Sequence, residues 1–369
     1  MKILMLSTGM GLGGAETQIY SLSARMIELG HEVHIAWLTG QAGLALPQQA
    51  VTHPFNIHKT PLGLLLAIKK LNQLITEIEP DVVHAHMVHA NLIARFSRLT
   101  SWPRKRRQMP KLICTAHSSN EGGKLLMLAY RCTDRLADLT THVSEQAADA
   151  FVDAGAVTRD RIMVVPNGID TARFRPDHQA RISIRESLAL TDKRVIMAVG
   201  RLEYPKNHAS LIRAFVQIQP DYPDTHLVIV GDGSLRKKLE SLVRSEQISQ
   251  SVTFLGKRHD IPAILNAADI GVMSSRFEGF GLAIAEAMAT EKLVVATNCG
   301  GAAKLLAGHG IVVPIENDQA LARGLEEALE ITPEARGKLG QTARELVLTG
   351  YSIDAMTQTW LRLYRYPNP

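Results

Sequence analysis

Long apolar runs and closely spaced cysteines are both missing from this sequence. No window reaches the roughly 18 uninterrupted apolar residues of a membrane-spanning helix, so we expect a soluble protein. The three cysteines, Cys114, Cys132 and Cys299, lie far apart, show no C-x-x-C spacing and cannot all pair with one another. The first residues lack the cleavage pattern of a signal peptide. Together these absences favour a cytoplasmic location with reduced cysteines.

The sequence also contains no Asp-x-Asp pair. Such carboxylates bind the Mg²⁺ ion that neutralises a diphosphate ligand. If this protein binds a diphosphate, basic side chains and helix N-termini must neutralise it instead. His84, His86 and His89 suggest a metal site because alternate strand residues share a face, but no carboxylate or cysteine cluster lies nearby. We therefore expect neither a metal ion nor a resident cofactor.

The 369 residues exceed the roughly 250 to 300 at which a single hydrophobic core stops growing, so two domains are expected. Short apolar runs alternate with amphipathic stretches, which indicates an α/β protein with parallel sheets. The turn residues Pro166-Asn-Gly-Ile-Asp170 mark the boundary. We predict domains over 1–167 and 168–351, and a C-terminal helix over 352–369 that crosses back onto the first domain.

The predicted helices of the first half include 17–29, 64–79 and 124–139. The predicted strands of the first half are 2–7, 31–38, 81–85, 111–116, 140–144 and 162–165. Those of the second half are 194–199, 226–230, 252–255, 270–274, 293–297 and 311–313.

The net charge of +5 is unevenly distributed. Between His84 and Arg135, ten Lys and Arg face only two acidic residues, a local charge of about +8. The run Trp102-Pro-Arg-Lys-Arg-Arg107 is typical of a loop. Two interpretations stay open: a solvated loop, or contact between segment 95–111 and an anionic membrane surface. We expect no nucleic-acid partner.

The first glycine-rich motif, Gly9-Met-Gly-Leu-Gly-Gly14, lies between a predicted strand and a predicted helix and fits the G-x-G-x-x-G pattern of dinucleotide-binding turns. A dinucleotide site also requires an acidic residue at the end of the second strand, where this chain reads Ile-Ala-Trp-Leu-Thr. The motif therefore predicts a loop that favours anions at a helix N-terminus. A tight turn with a purely structural role is the alternative.

A second motif, Gly200-Arg-Leu-Glu-Tyr-Pro-Lys-Asn207, follows the first predicted strand of the second half. Its two cations, Arg201 and Lys206, suit a diphosphate, and each charge-assisted hydrogen bond contributes roughly 1.5 to 3 kcal/mol. A solvated charged loop is the alternative. The position after a strand favours anion binding, because ligands of open α/β sheets bind at the carboxyl ends of strands.

A third motif runs from Ser274 through Glu278 to Glu286, with glycines before a helix of small residues. If the helix begins near Phe280, Glu286 lies in its second turn and Glu278 in the preceding loop, so both face one site. The first amides of the helix then point at a phosphate. These amides belong to Gly279, Phe280, Gly281 and Leu282.

Taken in order, these motifs resemble glycosyltransferase family 4, whose retaining enzymes have the GT-B fold and a Glu-x7-Glu signature. The matching segments are Gly13–Glu16, Asp81–His86, Pro166–Asp170, Gly200–Leu202 with Lys206, Val230–Gly233, and Glu278 with Glu286. The resemblance implies two doubly wound Rossmann-like domains facing each other across a cleft. The first would bind the acceptor and the second the nucleotide sugar.

The resemblance also implies roles for single residues. Arg201 and Lys206 would clamp the donor diphosphate, while Glu286 would hold the ribose hydroxyls. Glu278 would hold the transferred sugar, and His117 would reach that sugar from the first domain. The remaining implied contacts are Gly14 over the phosphates, and Lys257 and Arg258 beside the nucleobase.

The implied function is metal-independent, retaining transfer of a hexose or N-acetylhexosamine from a nucleotide diphosphate sugar, with UDP the expected nucleotide. A lipid-linked saccharide at the cytoplasmic face of a bacterial inner membrane is the expected acceptor, in polysaccharide, O-antigen or lipopolysaccharide synthesis. One departure is Lys304, where the family has an acidic residue after its Gly-Gly turn. A nucleotide-sugar 2-epimerase and a non-enzymatic anion- or membrane-binding protein are the alternatives.

Overall fold

The computed structural model describes residues 1–11, 13–43, 45–58, 60–100, 109–118 and 123–365. The chain divides into two units. Unit 1 contains Met1–Gly168 and the C-terminal segment from Ile353, and unit 2 contains Ile169–Ser352.

Unit 1 is built on a seven-stranded parallel sheet in the order β3-β2-β1-β4-β5-β6-β7. Its strands are β1 Lys2–Gly9, β2 Glu32–Thr39, β3 Val51–Pro54, β4 Val82–His86, β5 Lys111–Ala116, β6 Leu139–His142 and β7 Ile162–Val164. Its first five helices are α1 Gly14–Glu28, α2 Pro61–Ile78, α3 Val88–Thr100, α4 Lys124–Thr133 and α5 Glu145–Asp153.

Alternate residues of these strands serve two cores, as side chains of a strand point to opposite faces. On β1, Leu4 and Leu6 pack under α2 and α3, whereas Ile3 and Met5 pack under α1. Both faces of the sheet are therefore covered, and this explains why the strands are continuous apolar runs.

Unit 2 has a six-stranded parallel sheet in the order β10-β9-β8-β11-β12-β13. Its strands are β8 Arg194–Val199, β9 Thr225–Val230, β10 Val252–Gly256, β11 Ile270–Met273, β12 Leu293–Thr297 and β13 Ile311–Val313. Its helices are α6 His178–Ser187, α7 His208–Ile218, α8 Arg236–Ser245, α9 Ile261–Ala267, α10 Leu282–Ala289, α11 Ala302–Leu306, α12 Asp318–Glu330 and α13 Pro333–Gly350.

The last helix, α14 (Ile353–Arg365), packs against α1 in unit 1. Its apolar face, with Trp360, Leu361 and Tyr364, joins the core under α1. No helix in the described ranges is long and apolar enough to cross a membrane.

One predicted helix of unit 1 is too long, and one strand of unit 1 was not predicted. The predicted helix 124–139 ends at Thr133 and is followed by a 3-10 turn over Asp134–Leu136, because the chain must turn before β6 begins at Leu139. Strand β3 was missed since it is a short edge strand: its residues are mainly exposed, and Pro54 is tolerated only at such an edge.

Candidate functional site

The sheet of unit 2 reverses its strand order between β8 and β11, which is where ligands bind in open α/β sheets. The motif with Arg201 and Lys206 follows β8, and the motif with Glu278 follows β11. Two of the three motifs therefore meet at one point of one sheet edge.

The loop after β8 is held by a close backbone approach. Gly231, at the end of β9, has φ +138°, and a Cβ there would lie 1.9 Å from the carbonyl oxygen of Gly200. Only glycine allows these two loops to meet. The chain then forms a 3-10 turn over Tyr204–Lys206 and brings Lys206 back alongside Gly200, while Arg201 stays exposed.

Lys206 and Glu278 form an ion pair in which the Lys206 Nζ donates to Glu278 Oε1. The Ser275 hydroxyl donates to the same oxygen at 2.8 Å, and the Ser274 hydroxyl donates to the Lys206 carbonyl at 3.0 Å. The Glu278 side chain is only 12% exposed. A cation suited to a diphosphate and a carboxylate suited to sugar hydroxyls are therefore in direct contact.

Helix α10 begins at Leu282 and not near Phe280 as predicted. The chain can start the helix there because Gly281 adopts φ +94°, which L side chains rarely adopt. The first amides of α10 have no carbonyl partner within the helix. Phe280 itself is buried against the Tyr351 ring, with centroids 5.6 Å apart, so its side chain serves the core.

Glu286 lies in the second turn of α10. Burial raises the pKa of its carboxyl to about 7, and the nearby cations Arg173 and Lys206 oppose that rise. Near neutral pH this group is therefore divided between its protonated and ionised forms. The sequence did not predict that Arg173 lies near Glu286. The run Thr-Ala-Arg is typical of an exposed loop, and the glutamate is more than 100 positions away in the sequence.

Arg173 also donates to the carbonyl oxygen of His259 at 3.3 Å. The charge of Arg173 therefore acts on Glu286, and its side chain also contacts the segment after β10, where Lys257 and Arg258 lie exposed. The Arg258 guanidinium binds the Asp260 carboxylate at 2.6 and 2.9 Å. The charge of Arg258 is thus already balanced by Asp260.

The Gly300-Gly301 turn, after β12, lies against the main chain of Glu278: a Cβ on Gly300 would be 2.7 Å from the Glu278 carbonyl oxygen. Lys304 follows on α11 with an exposed side chain. Lys304, which stands where the family has an acidic residue, therefore lies on the helix that follows the turn packed on Glu278.

In unit 1, Gly14 is the first residue of α1, directly after the extended N-cap Gly13. Leu12 of this glycine motif lies outside the described residues. His117 follows β5, and its Nε2 lies 3.0 Å from Nδ1 of His86. Burial, reinforced by His142, lowers the pKa of His117 to about 3, so its imidazole is neutral at physiological pH.

His84 of β4 forms its hydrogen bonds with residues of unit 1. The two ring nitrogens of His84 bond the Tyr364 and Thr115 hydroxyls, both at 2.7 Å. In the described ranges, no three His, Cys, Asp or Glu side chains are grouped so that they could hold a metal ion.

Three cations of the basic segment 95–111 form their contacts within unit 1. Arg95 is fully buried and donates to Thr140 at 2.8 Å, Arg98 binds Asp138 at 2.8 Å, and Lys111 donates to the Leu363 carbonyl at 2.7 Å. These three cations serve the fold of unit 1. Its other four, at 104–107, lie outside the described residues.

Two family models match the chain. The model for Glycosyltransferase Family 4 matches residues 12–173, and that for Glycosyl transferases group 1 matches residues 180–346. Together they span both units.

Similar proteins cover nearly the whole chain. A putative glycosyltransferase EpsD of Bacillus subtilis is 28% identical, with 87% of this chain and 86% of the relative aligned. An N-acetylgalactosamine-N,N'-diacetylbacillosaminyl-diphospho-undecaprenol 4-alpha-N-acetylgalactosaminyltransferase of Campylobacter jejuni is 26% identical, over 89% of this chain and 90% of the relative. Among solved structures, Anabaena HepE in complex with UDP and glucose matches with a TM-score of 0.85 at 23% identity, over 98% and 99% of the two chains.

Proposed function

The chain belongs to the glycosyltransferases of the GT-B fold, with a family 4 domain followed by a group 1 domain, and from this premise we propose that it is a retaining, metal-independent hexosyltransferase. The donor is a UDP-linked hexose or N-acetylhexosamine. The observation that carries the proposal is the contact between Lys206 and Glu278 beside the N-terminus of α10. Groups for a diphosphate and for a sugar are thereby adjacent, with Glu286 one turn further along.

Binding of the donor exchanges the partners of this ion pair. The diphosphate takes Lys206, together with Arg201 and the first amides of α10, since an anion at a helix N-terminus is stabilised by those amides. Glu278, released from Lys206, accepts hydrogen bonds from the sugar hydroxyls. A carboxylate as little exposed as Glu278 is costly to leave with the Ser275 hydroxyl alone and no counter-charge, so sugar and diphosphate bind together.

In the reaction, the bond between the anomeric carbon and the phosphate oxygen breaks, and a bond from the acceptor oxygen to that carbon forms on the same face. Negative charge grows on the leaving diphosphate, where Lys206, Arg201 and the α10 amides stabilise it. The leaving phosphate oxygen takes the acceptor's proton. Glu278 orients the sugar and stabilises its positive charge, and it is not a nucleophile.

His117 contributes a neutral imidazole to the transferred sugar in this proposal. With its pKa lowered to about 3, it is not protonated at physiological pH and does not act as a general acid. Its role is therefore to hydrogen-bond a sugar hydroxyl. Gly14, at the start of α1, allows the backbone of unit 1 to approach the donor phosphates.

The acceptor in this proposal is a lipid-linked saccharide, in the assembly of a bacterial cell-surface polysaccharide, O-antigen or lipopolysaccharide. The name of the Campylobacter relative, which includes a diphospho-undecaprenol acceptor, supports this class. The proposal includes a cytoplasmic location with peripheral attachment to the inner membrane.

A panel of UDP- and GDP-sugars, measured by thermal shift and followed by product analysis with lipid-linked acceptors, tests the function. We expect one UDP-sugar to raise the melting temperature most and to yield a glycosylated lipid in excess EDTA. The Glu278→Ala variant is the matched control and should yield no product. Conversion of the donor to its 2-epimer, or binding with neither transfer nor slow donor hydrolysis, would contradict the proposal.

A further inference from the structure

The turn that carries Lys206 is weakly held by its own hydrogen bonds. It is a single 3-10 turn over Tyr204–Lys206, and such turns have poorer hydrogen-bond geometry than an α-helix. Its closing bond, from the Asn207 amide to the Tyr204 carbonyl, is long at 3.3 Å, and Asn207 adopts φ +50°, which is uncommon for residues other than glycine. The position of Lys206 therefore depends on contacts from outside the turn.

Three such contacts come from the short segment that follows β11. The Ser274 hydroxyl donates to the Lys206 carbonyl at 3.0 Å, and the Arg276 amide donates to the Pro205 carbonyl at 2.8 Å. The guanidinium Nη1 of Arg276 donates to the Tyr204 carbonyl at 3.1 Å. All three carbonyl oxygens of the turn thus accept a hydrogen bond from this segment, and two of the three donors belong to Arg276.

The Arg276 side chain is itself fixed on two sides. Its guanidinium carbon lies over the Tyr204 ring, 4.5 Å from the ring centroid, which is a cation–π contact. Its Nε donates to the Glu316 carboxylate at 2.7 Å, and only 19% of the side chain is exposed. Because Glu316 lies between β13 and α12, Arg276 joins the loops that follow β8, β11 and β13 at the carboxyl edge of the sheet.

The Arg276 contacts do not use the side chains of the ion pair between Lys206 and Glu278. In the proposed function, donor binding separates Lys206 from Glu278, and the ion pair then no longer joins the loops after β8 and β11. The Arg276 contacts involve the main chain of the turn and the Tyr204 ring, so the opening of the ion pair leaves them in place. Arg276 therefore keeps the two loops together in the donor complex.

We propose that Arg276 is a positioning residue for Lys206: it holds the turn so that the Lys206 ammonium reaches the donor diphosphate once the ion pair with Glu278 has opened. The inference rests on the proposed function, because that function assigns Lys206 to the diphosphate. Arg276 does not bind the donor itself, since its guanidinium is engaged by Tyr204 and Glu316. Its loss should therefore weaken UDP binding only through Lys206.

A double-mutant cycle on UDP affinity, measured by titration calorimetry, tests this dependence. We expect Arg276→Gln to weaken UDP binding about three- to tenfold, because Lys206 is misplaced while the other two carbonyl contacts of the turn remain. In a Lys206→Ala background, the same substitution should weaken UDP binding less than about twofold, because no ammonium is left to position. Equal factors in the two backgrounds would overturn the inference, since the effects of independent residues add.

Two milder variants separate the geometry of Arg276 from its charge. Arg276→Lys keeps the charge but not the planar fork that binds a carbonyl and a carboxylate at once, so it should restore only part of the lost affinity. Full restoration would mean that Arg276 acts through its charge alone, against the inference. Glu316→Ala removes an acidic residue, which by charge alone would strengthen UDP binding; we expect about twofold weaker binding instead, because Arg276 loses its anchor. Unchanged or stronger binding by Glu316→Ala would also contradict the inference.

The matched control is Arg213→Gln on α7, which removes an arginine paired with Asp318, two positions beyond Glu316. It should bind UDP as the wild type does, and an equal loss of affinity in this control would refute a specific role for Arg276. Far-UV circular dichroism confirms that each variant is folded. If UDP binds but the cycle is additive, only the role of Arg276 is wrong. A coupled cycle in a protein that transfers no sugar refutes the proposed function instead, and a wild type that binds no UDP refutes both.

Discussion

Replacing Glu286 by Gln is expected to change how nucleotide affinity depends on pH. Burial raises the pKa of Glu286 from 4.5 to about 7 in the free protein. A carboxylate that accepts hydrogen bonds from ribose hydroxyls favours its ionised form, so UDP binding must release the proton that Glu286 holds below pH 7. The affinity for UDP should therefore fall by up to tenfold per pH unit below about pH 7 and be level above it.

The raised pKa of Glu286 also makes the stability of the free protein depend on pH. A folded pKa above the unfolded value favours the protonated native state, so stability declines as pH rises from about 4.5 to about 7 and is level beyond. A shift of this size corresponds to about 3 kcal/mol, an upper bound because the residue is partly exposed. Glu286→Gln should raise the melting temperature at pH 8 and leave it nearly unchanged near pH 5.

Titration calorimetry with UDP between pH 5.5 and 8.5, in two buffers of different ionisation enthalpy, measures both affinity and proton release. Because the terminal phosphate of UDP also titrates near pH 6, Glu286→Gln is the reference that retains only this contribution. We expect weaker UDP binding by the variant at pH 8 and a flatter pH dependence below pH 7. Parallel affinity curves for the two proteins would refute the assignment of Glu286 to the ribose.

Three further substitutions test the site. Lys206→Ala should weaken UDP binding about 10- to 100-fold by calorimetry, because a charge-assisted bond is lost and Glu278 then faces the diphosphate unpaired; unchanged affinity would remove Lys206 from the clamp. Glu278→Ala should abolish transfer in a product assay while UDP affinity stays within a few-fold, and a large loss of UDP binding would argue against its role on the sugar. Gly231→Ala should lower the free energy of unfolding by at least about 2 kcal/mol and the melting temperature by several degrees, because its Cβ would meet the Gly200 carbonyl. Gly337→Ala, in open space on α13, is the control and should not destabilise the protein.

Much of the fold follows from the sequence because buried parallel strands are continuous apolar runs. Strands β5, β8, β12 and β13 have the predicted bounds for this reason. Strand β3 was missed because its exposed residues and Pro54 show no such run. The helical pattern over 124–139 also predicted a helix that is too long, because the observed helix ends at Thr133 and the chain turns there.

The candidate site follows from the sequence only in part. The positions of Arg201, Lys206 and Glu278 after predicted strands identify them as candidate site residues. The ion pair between Lys206 and Glu278 could not be predicted, because the two residues lie far apart in the sequence. Similarly, the approach of Arg173 to Glu286 depends on how α10 packs, and no local spacing predicts it. Charge counting misjudged Arg95, since a buried arginine and a solvated one are identical in composition.

The anomeric configuration of the product tests the central proposal most directly. Transfer from the UDP-α-sugar selected by the thermal-shift panel is run in excess EDTA, and proton NMR gives the H1–H2 coupling of the new linkage. We predict an α-linked product formed without added metal. A β-linked product, or transfer that requires Mg²⁺, would contradict metal-independent retention at this site.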